Sequence, residues 1–429
     1  MKFNVKRTIL TGFAFMAITS FWAMYDAITP LILKESFHLS EVLNGVVMAM
    51  DNVFALFLLP VFGIWSDRTQ TRFGKRMPFI AVGTILAILA MAFMPYADNI
   101  RNLPLFLAAT GFVLLAMSFY RTPAVALMPD ITPRALRSKG NAVIMLMGTV
   151  GAIFSMAMIK LLVKDIEGDT PNYMPLFVSI ILFIMLSTMI LILFVPENKW
   201  ASEMLSNEKD EPVEEENKNA GKKLSKEKLK SLLFILLSVF FWYMSYNAVN
   251  SAFSRYSTQV MGLKNGDYAS YMMVATVAAV ISYLPIGILS SKIGRKKVIL
   301  AGVFGLAVSF LFASFLAHGG IILDIIFVIV GVSWGAINVN SFPMVVDIAS
   351  DGDEGRYTGY YYTFSMAAQV LTPVLSGVFL QYVSYRSLFP YGVVFAALAF
   401  FTMIQVKHGD IISDGDKKKS LLEHLDVGD

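Results

Sequence analysis

SFWAMYDAIT at residues 20–29 and FWYMSYNAVN at residues 241–250 repeat one pattern of aromatic and polar side chains inside long apolar runs. The second copy has the amide Asn247 where the first has the acid Asp26. Similarity between distant parts of one chain is the mark of an internal repeat. The pattern therefore predicts two related halves that differ in charge at matched positions.

The chain around these copies is too apolar for a soluble protein of its length. Of 429 residues, 56% are hydrophobic and 15% are charged, and the mean hydropathy is +0.63. Because a helix needs about 20 mostly apolar residues to cross a bilayer, the composition predicts an all-α integral membrane protein. We expect twelve transmembrane helices in two pseudo-symmetric bundles of six. The spans lie near 9–33, 42–64, 78–96, 103–128, 140–163, 174–195, 231–254, 268–290, 298–317, 321–346, 357–381 and 387–406.

The basic residues predict the orientation. Most of the 35 Lys and Arg fall in alternate connections, including the clusters within 68–76 and 292–297. Cytoplasmic loops carry such an excess, so we expect both termini in the cytoplasm and the protein in the plasma (cytoplasmic) membrane. The net charge of +4 reflects these loops and gives no support to a nucleic-acid partner. With no cysteine, disulfide and thiol chemistry are excluded.

Composition also divides the chain. Residues 1–195 and 231–406 hold the two predicted bundles. The intervening 196–230 is rich in Glu, Lys, Asn and Ser, so we expect a cytoplasmic linker, solvated and with at most a short surface helix before span 7. Residues 407–429 are predicted to be a cytoplasmic tail. A regulatory docking role for the linker is the alternative.

Two more echoes extend the repeat. GIWSDR at 63–68, followed by GKR at 74–76, matches GILSSKIGRK at 287–296; RTPAVALMPDI at 121–131 matches NVNSFPMVVDI at 338–348. Each half thus contains a tight, glycine-containing basic turn that stays in water. The predicted cytoplasmic gating motif comprises Gly63, Asp67, Arg68, Gly74, Lys75, Arg76, Asp130, Asp347 and Arg356.

With these motifs the chain resembles the major facilitator superfamily. The stretch SDRTQTRFGKRMPFI at 66–80 is similar to the sucrose and maltose transporter branch, and more distantly to glycoside-pentoside-hexuronide:cation symporters. The resemblance implies sugar transport by two bundles that rock around a site lined by spans 1, 4, 7 and 10. Melibiose-type permeases carry an acidic pair on span 2, whereas Asp51 has no acid four residues later. A proton is therefore favoured over sodium as the coupling ion.

Three ionisable residues lie well inside the predicted spans: Asp26, Asp51 and Arg121. Each costs about 2.5 to 3.5 kcal/mol at a helix centre on insertion scales, so each is a candidate for function. Their counterparts Asn247, Ala275 and Asn338 are neutral. We therefore predict that the N-terminal half carries the proton and the C-terminal half binds substrate. By depth, Asp51 is the better partner for Arg121, and Asp26 lies nearer the outer vestibule. A purely structural ion pair and an exposed vestibule acid are the alternatives.

Sugar sites combine amides or carboxylates with aromatic rings, because a sugar presents both hydroxyls and flat C–H faces. Any single aromatic residue in the spans could instead serve packing. The predicted substrate-binding residues are Trp22, Tyr25, Asn247, Asn250, Trp334, Asn338, Asn340, Tyr361 and Gln369.

The favoured function is uptake of a disaccharide or other glycoside with a proton. Export of sugars or drug-like molecules stays open. All four histidines fall in loops or at span ends, and no cluster has metal-ligand spacing, so a membrane enzyme, a cofactor and a metal site are not expected. Internal pseudo-symmetry also disfavours a channel, which usually assembles from symmetric copies. We expect a monomer in the lipid bilayer with a small-molecule substrate and H+ as its partners.

Overall fold

The computed structural model describes residues 4–132, 137–164, 170–208, 225–264, 266–348 and 354–409, and it omits the side chains of 137–139, 205–208 and 354–356. Within those ranges the chain is all helical. The helices are α1 (Val5–Glu35), α2 (Glu41–Arg68), α3 (Met77–Asn99), α4 (Leu103–Ile131), α5 (Arg137–Leu162), α6 (Met174–Phe194), α7 (Glu197–Glu208), α8 (Lys226–Gln259), α9 (Tyr268–Ile293), α10 (Arg295–Ala313), α11 (Ile321–Val346), α12 (Glu354–Tyr382) and α13 (Leu388–Ile404), with a 3-10 turn at Tyr385–Ser387.

Twelve of these helices, all except α7, are long and apolar enough to cross a membrane, which confirms the predicted number of spans. Two elements differ from the prediction. Helix α8 extends beyond the expected 231–254, and Arg255 therefore lies within it. Helix α7 occupies 197–208 of the predicted linker, directly after α6. Residues 209–224 and 410–429, most of the predicted linker and tail, lie outside the described residues.

Local sequence explains where several helices begin. The side chains of Ser40, Asn102 and Ser225 each accept a backbone N–H in the first turn of α2, α4 and α8, which satisfies a donor that has no partner within the helix. Between α9 and α10 the connection is Gly294 alone, at φ 95°. Glycine adopts this left-handed conformation without the steric cost of a Cβ, so the basic turn can be this short.

We call α1–α6 the N-terminal half and α8–α13 the C-terminal half. The helices pack mainly within their own half. In the N-terminal half α1 packs on α5 and α6, and α3 packs on α4; in the C-terminal half α8 packs on α13, and α11 packs on α9 and α10. The main packing between the halves joins α2 with α12, α5 with α9, and α1 with α8.

Large apolar side chains cover the outer faces of α3, α6, α10 and α13. So many exposed on one molecule would be a liability in water, whereas the acyl chains of a bilayer solvate them. Examples are Ile85, Leu89, Phe93, Leu182, Leu186, Met189, Leu193, Phe304, Leu311, Phe312, Val394 and Phe401.

The two ends of the molecule differ in how the halves are joined. We call the end with the α2–α3 and α9–α10 turns the basic end, and the end with the α1–α2 and α8–α9 connections the opposite end. At the opposite end the ion pairs Glu41–Arg255 and Lys160–Asp267 join the two halves. At the basic end the ion pairs among the described residues stay within one half or join α1 to the linker helix α7. The ion pairs that join the halves within the described part of the chain therefore lie at the opposite end.

Candidate functional site

Three charged side chains from three helices meet in the interior of the N-terminal half. Asp26 on α1, Asp51 on α2 and Arg121 on α4 are each partly exposed, and each carboxylate interacts electrostatically with Arg121. No carboxylate among the described residues lies within ion-pair distance of Arg121, so the group is a loose cluster of two acids around one cation.

Aromatic and amide groups hold this charge cluster in place. The Arg121 guanidinium lies 5.8 Å from the centre of the Trp22 ring, close enough for a cation–π interaction. The Asp51 carboxylate accepts hydrogen bonds from the backbone and side-chain nitrogens of Asn52, at 2.6 and 2.7 Å. On α1, Trp22, Tyr25 and Asp26 follow one another at helical spacing, so they share a face. The rings of Trp22 and Tyr25 meet edge to face at 5.6 Å.

The C-terminal half contributes a group of aromatic rings. Tyr246 on α8 stacks on Trp334 of α11, with ring centres 3.8 Å apart and planes 2° from parallel. Tyr243 meets Trp334 edge to face at 5.4 Å. Its hydroxyl lies 3.5 Å from that of Tyr361 on α12, which in turn lies 3.0 Å from the hydroxyl of Ser341. Three helices of this half are thus connected through their side chains.

The predicted amides occupy different environments. Asn338 and Gln369 are partly exposed, and each donates to the carbonyl one turn earlier in its own helix, at 3.3 and 3.2 Å, which leaves the amide oxygen as an acceptor. Asn250 is partly exposed one turn after Asn247 on α8. Asn340 is 1% exposed and donates to the Ala336 carbonyl at 2.9 Å. The structure therefore does not bring Asn340 to the surface that Trp334 and Asn338 share.

Several buried side-chain donors on α1 and α8 lack a hydrogen-bond partner among the described residues. Three of them belong to residues that are predicted to bind substrate: Trp22 Nε1 and the Tyr25 hydroxyl on α1, and Asn247 Nδ2 on α8. Leaving such a group unpaired costs about 1 to 3 kcal/mol, so buried donors are usually bonded. The three lie on the two helices that carry the first sequence echo. The arrangement can bind a solute rich in hydrogen-bond acceptors.

The predicted gating motif forms ion-pair networks at the basic end. Arg76 donates to Asp130 at 2.7 Å and pairs with Asp67, while Lys75 lies 3.2 Å from Asp130. Burial alone would lower the pKa of Arg76, but its bonds to these two acids outweigh burial and raise the pKa above its ordinary value. In the C-terminal half Arg295 pairs with Asp347.

The remaining motif residues are placed individually. Gly63 faces the Thr122 methyl group, and Gly74 adopts φ 120°. Arg68 is exposed and has no ion-pair partner in the part of the chain that the structure describes. The Arg356 side chain lies outside the described residues.

The comparisons with known proteins decide the family. The model of the Major Facilitator Superfamily matches residues 9–340 and 267–422, which is nearly the whole chain. The chain belongs to the major facilitator superfamily. A solved D-xylose-proton symporter shares this fold at a TM-score of 0.68 and 14% identity, covering 94% of this chain and 98% of that one.

Curated relatives within the superfamily include sugar transporters. Sucrose transport protein SUC3 of Arabidopsis thaliana is 25% identical over 152 residues, which is 31% of this chain and 25% of that protein. Proton-associated sugar transporter A of Homo sapiens is 28% identical over 164 residues, 35% of this chain and 22% of that protein. The chain thus spans about a quarter of the length of these relatives.

Sequence reasoning missed several residues of this superfamily member. Tyr246 could have been found, because it stands in the second echo where the first has Tyr25. Arg255 was placed just beyond a span. Glu197 lay in the predicted linker, yet its carboxylate accepts the backbone N–H groups of Lys75, Arg76 and Met77 at 2.8 to 2.9 Å. No local pattern marks Glu197, because its partners are far away in sequence, and the repeat marks Arg255 only as the counterpart of Lys34.

Proposed function

We propose that this transporter takes up a sugar together with a proton by alternating access of its two halves. The three unpaired donors on facing helices carry the proposal, because they offer hydrogen bonds to a solute rich in hydroxyl oxygens. The similarity to a sucrose transport protein and a proton-associated sugar transporter agrees with a sugar substrate.

Sugar binding would divide between the two halves. Trp22, Tyr25 and Asn247 donate hydrogen bonds, and the free amide oxygens of Asn338 and Gln369 accept them. The stacked rings of Tyr246 and Trp334, with Tyr361 behind them, offer apolar faces for the C–H surfaces of a sugar. Asn250 supplies a second amide on α8, one turn after Asn247.

Proton coupling would reside in Asp26, Asp51 and Arg121. With both acids ionised the cluster carries one net negative charge, and binding of one proton makes it neutral. Enclosing a neutral cluster in the low-dielectric interior has a lower electrostatic cost than enclosing a charged one. The matched positions Asn247, Ala275 and Asn338 cannot change charge. A proton bound by the N-terminal half would therefore drive the transport of a substrate whose site is shared with the C-terminal half.

The same proposal assigns the domains and the orientation. Residues 1–195 and 231–406 form the two moving bundles, 196–230 links them, and 407–429 is the tail. The excess of Lys and Arg places the basic end in the cytoplasm, so the opposite end faces outward in the plasma membrane. The gating motif, from Gly63 to Arg76 with Asp130, Asp347 and Arg356, then controls the cytoplasmic opening.

Two measurements test this function. The first is thermal unfolding of the purified protein with a panel of mono- and disaccharides across pH. A sugar that binds the folded form raises its stability with occupancy. We expect one class of sugar to stabilise the protein, and a flat response to the whole panel would contradict the sugar assignment.

The second measurement separates coupling from binding. We expect Asp26→Asn and Asp51→Asn to lose accumulation driven by a pH gradient while keeping counterflow, which needs no net proton movement. Asp324→Asn, at the first turn of α11, is the matched control and keeps both activities. Wild-type accumulation in both test variants would show that these acids do not carry the proton.

A further inference from the structure

The opposite end contains a buried ion pair that joins the two halves. Arg255 Nε on α8 donates to Glu41 Oε2 on α2 at 3.0 Å, and the two side chains are 3% and 2% exposed. Glu41 also pairs with Lys34 at 3.1 Å and accepts a hydrogen bond from the Tyr385 hydroxyl. Neither the repeat motifs nor the proposed substrate site uses this cluster.

The two cations are equivalent positions of the internal repeat. The alignment that matches Asp26 with Asn247, continued eight residues further in both copies, matches Lys34 with Arg255. Each half thus places one cation near the end of its first helix, and a single carboxylate binds both. Lys34 belongs to the same half as Glu41, whereas Arg255 belongs to the other half.

Close backbone packing ties this ion pair to closure. A Cβ at Gly45 would collide with the Pro373 backbone, and one at Gly377 would collide with the Glu41 backbone, so α2 and α12 cross in direct contact. The Val42 N–H also donates to Gln381 across this crossing, at 3.2 Å. The halves cannot separate at this end without pulling Glu41 away from Arg255.

We infer that Glu41 is an exchange lock of the transport cycle. When this end is closed, Glu41 binds both Arg255 and Lys34; when it opens, Arg255 leaves with the C-terminal half and Glu41 remains paired with Lys34. The inference rests on the proposed alternating access and on an outward-facing opposite end.

Electrostatics explain why this exchange is feasible. Breaking a buried ion pair is costly chiefly when it leaves an uncompensated buried charge. Lys34 prevents that outcome for Glu41. A cavity of about 580 Å³ is lined by Glu41 and Lys34 together with other polar groups that include Gln259, Gln381 and Arg386. On opening, Arg255 is therefore released toward water.

A thiol-labelling experiment reports the opening directly. The chain has no cysteine, so Ala49→Cys supplies its only thiol. Ala49 is buried on α2, four and eight residues after Gly45 and Glu41, on the face that packs against α12. We would measure its labelling rate by a membrane-impermeant maleimide in sealed right-side-out and inside-out vesicles. No sugar is needed, so this test stands apart from the substrate assignment.

The exchange predicts opposite effects for the two cations. Arg255→Gln removes the buried ion pair between the halves, so labelling from outside rises, by about tenfold for a lock that shifts a two-state equilibrium. Lys34→Gln leaves the open state with an unpaired Glu41, so labelling falls below that of the Ala49→Cys parent. Lys160→Gln, which breaks the partly exposed pair with Asp267, is the matched control and changes the rate by less than about threefold.

The outcomes divide cleanly. A charge cluster with a purely structural role would shift labelling in the same direction for Arg255→Gln and Lys34→Gln, and that result would overturn the lock. Faster labelling only in inside-out vesicles would also overturn it. Where a single variant does not fold, Glu41→Gln with Arg255→Gln leaves neither member of the pair charged, and it too must label faster than the parent.

Discussion

Glu197 offers a quantitative test of how the linker helix is attached to the N-terminal half. Its carboxylate is 2% exposed and accepts backbone N–H groups of Lys75, Arg76 and Met77, at 2.8, 2.9 and 2.9 Å. Met77 is the first residue of α3, Arg76 is its N-cap residue and Lys75 comes directly before them, so these N–H groups have no partner within the helix. An anion here also lies at the favourable end of the helix dipole.

Glu197→Gln keeps the shape of the side chain but removes its charge and one acceptor oxygen. The side chain retains two of the three bonds as neutral ones, and an amide N–H₂ group then faces the third donor. A hydrogen bond to a charged group contributes about 1.5 to 3 kcal/mol, against about 1 kcal/mol for a neutral pair. Loss of one such bond and weakening of two others lower the free energy of unfolding by about 3 kcal/mol.

The assay is denaturant unfolding in detergent, with Glu203→Gln as the matched control. Glu203 lies on the same helix, and its carboxylate pairs with Arg7 at 2.7 Å while 38% exposed. An exposed ion pair of this kind contributes about 0 to 1 kcal/mol, so the control should barely move the unfolding midpoint. Equal midpoint shifts in the two variants would refute the assignment of Glu197 as the cap of α3.

Two further predictions use matched controls. Gly74→Ala places a Cβ against the Glu197 carboxylate at a residue with φ 120°, so we expect the free energy of unfolding to fall by about 1 to 2 kcal/mol. The control Gly111→Ala has open space around the new Cβ and should lose no stability. Similar unfolding midpoints for the two variants would contradict this prediction. Trp334→Ala removes one ring of the stacked pair, so we expect a roughly tenfold weaker sugar affinity in thermal-shift titrations. The control Trp65→Ala, at an exposed position, should leave the sugar affinity unchanged. Undiminished affinity in Trp334→Ala would show that Trp334 does not belong to the site.

Features that depend on local sequence were predictable. Twelve spans follow from apolar runs of about 20 residues, because the bilayer sets the helix length wherever the run occurs. The basic turn motif pointed to the superfamily. The charges Asp26, Asp51 and Arg121 were conspicuous because ionisable groups are rare in such runs. Their grouping around Arg121 required only that helices of one half pack together.

Other features depended on where distant helices come together. Arg255 lies one residue beyond the predicted span 231–254, whereas in the structure it lies within α8. Its ion pair with Glu41 joins residues of opposite halves. Asn340 looked equivalent to Asn338, yet helix rotation buries it.

The sequence by itself determined the spans, the duplication and the asymmetry of charge, because each is a property of residues near one another in the chain. Only the tertiary structure decided that Glu197 caps α3 and that Glu41 binds one cation from each half. Such partners depend on the rotation and crossing of helices that no local pattern encodes, because the packing of all the helices sets them together.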